Sequence, residues 1–323
     1  MPTPLCRLDQ TDRKLAYLLS VNSRTPLKTL SSILRLSPSA VFHRQKRLER
    51  AKMISGYQTV INMPGLGLSQ YRVYAKLSAG SASHAESIAK KIARMPFVYW
   101  LGTLEGSWDF ALTVLAKDNF EFNERWAKVR AVAGGSFHEW KVSAYTSLEF
   151  FSYAFLSEKA RPESDTPLVQ SNEKIAQLSD AERLVLKRVS DHANESTYDV
   201  AKATGLDPKT VYRAWKSLES KKVILGYRAI VQTKALGMEY YKVDVNLRDF
   251  SMRGSVLSWL RECPNVVYID NSTGGSDAEF DLIVDNHSHY KKVMAGFLGK
   301  FGRIVESYEF FLMDEVYKIA YYP

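Results

Sequence analysis

The chain is short of cysteine and has no long apolar run, and each shortage closes off a class of protein. Cys6 and Cys263 are its 2 cysteines in 323 residues. Two thiols so far apart supply neither a disulfide framework nor a four-ligand zinc site, and they suit a reducing compartment. Nowhere do about 18 apolar residues follow one another, so no segment reads as a membrane-spanning helix. Met1 to Thr11 lacks the apolar core of a signal peptide and runs into charged residues, which points to the cytoplasm. There is no CxxC, no glycine loop to cradle phosphate and no Gly-x-Ser-x-Gly elbow. The 6 histidines are scattered, and His287 and His289, two apart, do not share a helical face. No metal, cofactor or catalytic residue is assigned, and the expectation is a protein that is not an enzyme.

What is present begins with charge. Lys and Arg number 44 against 35 Asp and Glu, a net +9 with a pI near 9.3, which suits a polyanionic partner without proving one. Hydrophobic residues at 46% and charged residues at 24% give an ordinary globular balance, and the length suits two to four domains.

The stronger signal is a repeat. Leu36-Ser37-Pro38-Ser39-Ala40-Val41, Leu48-Glu49 and Ile54-Ser55-Gly56-Tyr57 return as Leu206-Asp207-Pro208-Lys209-Thr210-Val211, Leu218-Glu219 and Ile224-Leu225-Gly226-Tyr227. The offset is 170 residues and still holds at Tyr71 and Tyr241.

Leu8 to Ile54 reads as three helices. Asp9 or Thr11 caps the first, Thr25 followed by Pro26 starts the second, and Ser37 followed by Pro38 starts the third. The short gap before the third helix is that of a helix-turn-helix corner, and Ile54 to Asn62 then leaves as a strand. From Tyr71 the pattern becomes strand, helix, strand, strand, helix, strand, the ferredoxin-like order, and Tyr240 to Tyr321 repeats it. The fold class expected is α+β: two copies of a helix-turn-helix bundle, winged-helix-like, each followed by a βαββαβ module. The domains are 1–62, 69–156, 178–232 and 238–323, and the Pro- and charge-rich stretch 157–177 reads as a linker.

In the third helix Val41 and Leu48 must face the bundle, which turns Ser39, His43, Lys46 and Arg47 outward. Small polar groups followed by cations suit a helix in the major groove, although most basic helices are merely solvated. Arg44 sits on the flank, where a salt bridge within the bundle is as apt as a DNA contact. Phe42 and its counterpart Tyr212 are expected to pack in the core. The second copy presents Lys209, Thr210, Arg213 and Lys216, with Ala214 and Ser217 where the first has Arg44 and Arg47. If both helices touch DNA, they should not prefer the same half-site.

The pattern Leu8-Asp9, Asp12, Leu36-Ser37, Val41, Arg44, Arg47-Leu48-Glu49, Ile54, Gly56-Tyr57 and Leu66-Gly67, ahead of a ferredoxin-like half, closely resembles the Lrp/AsnC (feast/famine) regulators. The resemblance covers both halves and implies two such proteins fused in tandem, binding double-stranded DNA. It also implies that the sheet modules pair, here as a pseudo-dimer within the chain, with homodimers or higher forms built on the aromatic final strands. The family's effector loop, a glycine and an aspartate three residues on for an amino acid's ammonium, matches Gly106 to Asp109. In the second half two registers stay open, Gly274 to Asp277 on the motif and Ser276 to Glu279 on the constant offset. Arg35 stands where the family has a corner glycine, kept as Gly205 in the second copy, so the first corner is expected to be reshaped. Two other readings stay open: a tetrapyrrole enzyme like the sirohaem decarboxylases, and an effector-sensing scaffold without DNA binding.

Overall fold

The computed structural model describes residues 8–157, 167–170, 174–319 and 322; Cys6, Pro162, Tyr321 and much of the 157–177 stretch lie outside the described residues. The first half runs α1 (Gln10–Val21), α2 (Leu27–Leu34), α3 (Pro38–Arg50), β1 (Ile54–Ile61), β2 (Ser69–Leu77), α4 (Ala85–Ala93), β3 (Val98–Glu105), β4 (Phe110–Ala116), α5 (Asn119–Ala133) and β5 (Phe137–Phe150). A short β6 (Leu168–Gln170) follows. The second half runs α6 (Asp180–Asp191), α7 (Thr197–Thr204), α8 (Pro208–Ser220), β7 (Ile224–Val231), β8 (Glu239–Leu247), α9 (Arg253–Glu262), β9 (Val266–Thr273), β10 (Ala278–Val284), α10 (His287–Phe301) and β11 (Val305–Ile319). No helix among the described residues is long and apolar enough to cross a membrane.

Local chemistry accounts for the helix starts. Asp9 and Asp12 form a capping box on α1, Ser37 caps α3 ahead of Pro38, and Ser179 and Ser196 open α6 and α7 with boxes of their own. The start of α2 differs from expectation. Pro26 is itself the cap position and no side chain caps the helix, because Thr25 turns its hydroxyl to the Asn22 carbonyl, 2.7 Å away. Leu15, Leu19, Leu30, Val41 and Leu48 form the first bundle's core, and Val185, Leu186, Val200, Val211 and Leu218 the second's.

The bundles are tied by an antiparallel ribbon of β1 and β7. Each strand feeds the other bundle: Ala229 of β7 enters the first core, Ile61 of β1 the second. The ties are reciprocal, with the Ser23 amide donating to the Tyr227 carbonyl (2.9 Å) and the Ala193 amide to the Tyr57 carbonyl (3.4 Å).

The remaining strands close on themselves in the order β2-β4-β3-β11-β8-β10-β9-β5, with β5 returning to β2. Two long strands make the seams. β5 pairs with β2 through residues 137–144 and with β9 through 144–150; β11 pairs with β8 through 305–312 and with β3 through 312–319. Outer faces carry α4 and α5 over Val73, Leu101 and Leu112, and α9 and α10 over Val243, Phe280 and Leu282. Phe151, Tyr153 and Phe311 at the strand ends are buried within the chain rather than offered for association, while Phe310 is partly exposed. The 157–177 stretch is less of a plain linker than its composition suggests: β6 pairs with β5, and the Ala176 amide donates to the Gly65 carbonyl at 2.7 Å.

The 170-residue offset holds through Leu77 and Leu247, then falls to 168. Ser78 bonds Ser136 across one module and Arg248 bonds Ile304 across the other, and the 78–84 turn is two residues longer than 248–252.

The corner at Arg35 is not reshaped. Arg35 takes the left-handed conformation that ends α2 (φ 54°, ψ 45°), as Gly205 does after α7 (φ 73°, ψ 10°). A side chain in that region costs on the order of 1 kcal/mol. Arg35→Gly is therefore expected to raise the unfolding free energy by about that much, read as a higher midpoint in chemical unfolding, and a lowered midpoint would show that the arginine side chain itself stabilises the corner.

Candidate nucleic-acid interface and barrel interior

Val41 and Leu48 are buried in α3, which leaves Ser39 and His43 exposed. Lys46 bonds Glu49 at 2.6 Å and keeps an open side chain. Arg47 departs from expectation. Its aliphatic stem is half-exposed, but its guanidinium turns back to Asp12, a carboxylate buried completely beneath the helix. Arg44 joins it there, 2.8 Å from Asp12 and 2.6 Å from Asp9, which is the salt-bridge role open to it. A buried carboxylate left without donors is costly, so this anchoring has priority over any external contact. Phe42 and Tyr212 also differ: they are 43% and 56% exposed on the outer faces of α3 and α8, not packed in the cores.

On α8, Lys209, Arg213 and Lys216 are exposed, and Lys216 reaches Glu219 at 2.7 Å. Thr210 is partly occupied, its hydroxyl donating to the capping Asp207. Without the two arginines, the carboxylate equivalent to Asp12 finds other donors. Burial pushes Glu182 up, but bonds from Lys221, Ser217 and the Ser179 cap outweigh it and hold its pKa at about 2. Trp215 is buried where α3 has Gln45; both donate to a tyrosine, Tyr227 at 2.6 Å and Tyr57 at 2.8 Å. Arg24 crosses from the first bundle to lie 4.2 Å over the Trp215 ring and donates to the Ala193 and Glu195 carbonyls.

The glycine-aspartate loops occupy equivalent places at the seams. Gly106 (φ 134°) lies against β11 and Gly274 (φ 83°) against β5, where an added Cβ would sit 3.1 Å from the Val142 carbonyl oxygen. Asp109 accepts the Leu77 amide and Asp277 the Leu247 amide, each at 2.7 Å, so Gly274 to Asp277 is the register of the second loop. Glu279 lies elsewhere, inside the barrel on β10, and the 168-residue offset explains why the constant-offset register selects it.

That interior holds charged residues that the strand pattern does not single out, together with Glu279, a candidate of the effector loop by the constant offset. Arg72, Tyr74, Lys242, Asp244, Asp270, Glu279 and Asp281 are all at most 5% exposed and point inward. Arg72 pairs with Glu279 and, at 3.4 Å, with Asp270; Lys242 sits 2.6 Å from Asp281 and 3.5 Å from Asp270. Glu279 also accepts from the Ser276 amide (2.8 Å) and the Ser272 hydroxyl (2.9 Å). Four carboxylates thus face two cations. Burial raises Asp244 to about 7, with Glu279 adding repulsion and Arg72 opposing both, and burial likewise raises Asp270 to about 6. No group of three or more His, Cys, Asp or Glu among the described residues is placed to hold a metal ion; His287 bonds Tyr241 and His289 bonds Asp285.

Residues 8–49 match the AsnC-type helix-turn-helix domain. An HTH-type transcriptional regulator of Pyrococcus abyssi is 30% identical over 112 residues, covering 34% of this chain and 75% of that protein. The transcriptional regulator AzlB of Bacillus subtilis is 31% identical over 112 residues, 34% of this chain and 71% of that one. The bundle and its matches define a helix-turn-helix protein of the AsnC type. The chain belongs to the Lrp/AsnC family of transcriptional regulators. Along its whole length it also shares its fold with the siroheme decarboxylase NirDL, with a TM-score of 0.63 over 98% of this chain and 95% of that one; at 9% identity the likeness is of fold alone.

Asp244 carries a sign that can be tested. Its folded pKa of about 7 lies above the ordinary aspartate range, so it costs nothing below pH 4 and destabilises the fold as pH rises toward 7. Asp244→Asn, facing the same Tyr74, Arg72, Lys242, Glu279 and Lys141, should match the parent protein near pH 4 in urea unfolding. Near pH 8 it should be more stable by about 2–4 kcal/mol. A difference that does not change with pH would contradict this.

Proposed function

We propose that the chain is a sequence-specific DNA-binding transcriptional regulator built as two fused regulator units, 1–62 with 69–156 and 178–232 with 238–323, responding to an amino acid or other small effector. The observation that carries it is the exposure of Ser39 and His43 on α3, and of Lys209, Arg213 and Lys216 on α8. A basic helix that presents small polar groups near its start and cations beyond can enter the major groove. Family membership supports the same reading. The two faces differ in chemistry, so the favoured operator is asymmetric, and the β1–β7 ribbon holds both helices in one unit.

An effector has a place at the seams. Each Gly-x-x-Asp loop uses one carboxylate oxygen on a backbone amide, and its aspartate is half-buried beside the joint between modules. The whole-chain likeness to a siroheme decarboxylase is of fold alone and carries no enzymatic role, and the barrel interior gives such a role no support. Its cavity of about 190 Å³ is below the roughly 300–1,000 Å³ of pockets for drug-sized ligands, and although it adjoins a groove of about 680 Å³, no histidine lines either among the described residues.

Selection from genomic DNA with the purified chain, with and without amino acids, should return an asymmetric site whose affinity falls steeply with salt. Arg213→Ala and His43→Ala remove side chains that have no ion-pair partner among the described residues. Each should weaken binding to the selected site by about 1–3 kcal/mol if the residue reads a base. A perfect palindrome, or affinity unmoved by either substitution, would contradict the reading.

A further inference from the structure

We propose that the cavity in the barrel interior binds a small organic cation, a primary ammonium carried on a single ring or a short branched apolar body. This site is separate from the Gly-x-x-Asp loops and does not depend on DNA binding.

Size sets the first limit. The cavity, open on one side, has a volume of about 190 Å³, and an apolar cavity of roughly 150 Å³ takes a benzene ring. One ring with a two- or three-atom tail therefore fills it. Tyr99, Trp100, Tyr145, Phe150 and Tyr268 line the walls, a surface that suits a ring, although Arg72 already lies over Tyr145 and Arg228 over Phe150 and Tyr268.

Charge sets the second. Arg72 and Lys242 border the cavity but are taken by Glu279 and Asp281. Asp270 borders it too and is poorly served. Arg72, Tyr145 and Lys242 all donate to its Oδ2, at 3.4, 3.3 and 3.5 Å, and among the described residues its Oδ1 accepts nothing. Bonds that long are weak, and a carboxylate 97% buried with one idle oxygen lacks a donor. Asp244 Oδ2, deeper in the barrel, is also without a partner. An ammonium supplies three donors and one positive charge, and with it the interior comes closer to neutrality.

Access and number follow from the same geometry. The cavity shares Gln232, Thr233, Tyr240, Val316 and Ile319 with a wider surface groove along β11, which gives a ligand a way in. On the other half of the barrel the position of Asp270 is held by Gly102, where a Cβ would lie 2.7 Å from the Met313 sulfur. The site is therefore single.

The test is calorimetric titration of the full chain at pH 7.5 with phenethylamine, benzylamine and isoamylamine, against phenethyl alcohol as neutral isostere and phenylalanine as zwitterion. At least one amine should bind one-to-one, ten-fold or more tighter than the alcohol or the amino acid, and raise the melting temperature. Asp270→Asn, with unchanged circular dichroism, should lose at least ten-fold in amine affinity. No saturable heat from any of the three amines at millimolar concentration overturns the proposal. So does an alcohol or phenylalanine that binds as well, and the ligand series on the unaltered chain decides the matter even if the variant misfolds.

Discussion

The structure turns on the two seams where β5 meets β9 and β11 meets β3. An open four-stranded sheet covered by helices on one face would give its other face to water. Joined edge to edge at both sides, the two sheets enclose that face instead, each long strand pairing with both halves. Closure makes Lys242, Asp244, Glu279 and Asp281 interior residues, and burial then forces each to find a partner, give up its charge, or wait for one. Arg72, from the other half, meets Glu279 and Asp270 across the enclosed space. A cation of one sheet answering acids of the other penalises any docking that leaves them apart, a specificity that apolar packing alone would not supply.

Much of this was legible from residues alone, for definite reasons. The bundles announce themselves through the 3.6 period of Leu15, Leu19, Val41 and Leu48 and through serine and aspartate caps, signals set within a few positions of one another. The strands were legible from alternation, but alternation does not say which side is wet. Lys242-Val243-Asp244-Val245 and Glu279-Phe280-Asp281-Leu282 read as half-solvated strands, and only closure puts their charges inside. Arg47 was misplaced for a related reason: the acid that captures it, Asp12, lies 35 positions away and shows no sign in sequence that it will be buried. The three-residue β6 carries too few positions for any period. The second effector register depended on a two-residue difference in the turn after Leu77, which no local pattern reveals.

The bundles and the barrel are not independent bodies. Arg228 of β7, buried and without a carboxylate partner among the described residues, donates to the Ser20 carbonyl of α1 and the Phe151 carbonyl beyond β5. Its guanidinium lies near the rings of Phe150, Tyr153 and Tyr268, which also line the interior cavity. One side chain therefore touches the ribbon, the first bundle and the mouth of the barrel at once. Small displacements in the cavity wall have a short, stiff route to the helices.

The ribbon carries one more consequence. In a regulator assembled from separate subunits, the fraction able to grip DNA with two helices depends on how many copies meet, so activity climbs with the square of abundance at low levels. Here both helices are carried on a single polypeptide and their strands are already paired. If both helices grip DNA as proposed and one chain is the working unit, occupancy of a target follows protein number in simple proportion, and dilution at cell division halves the working population without dismantling it.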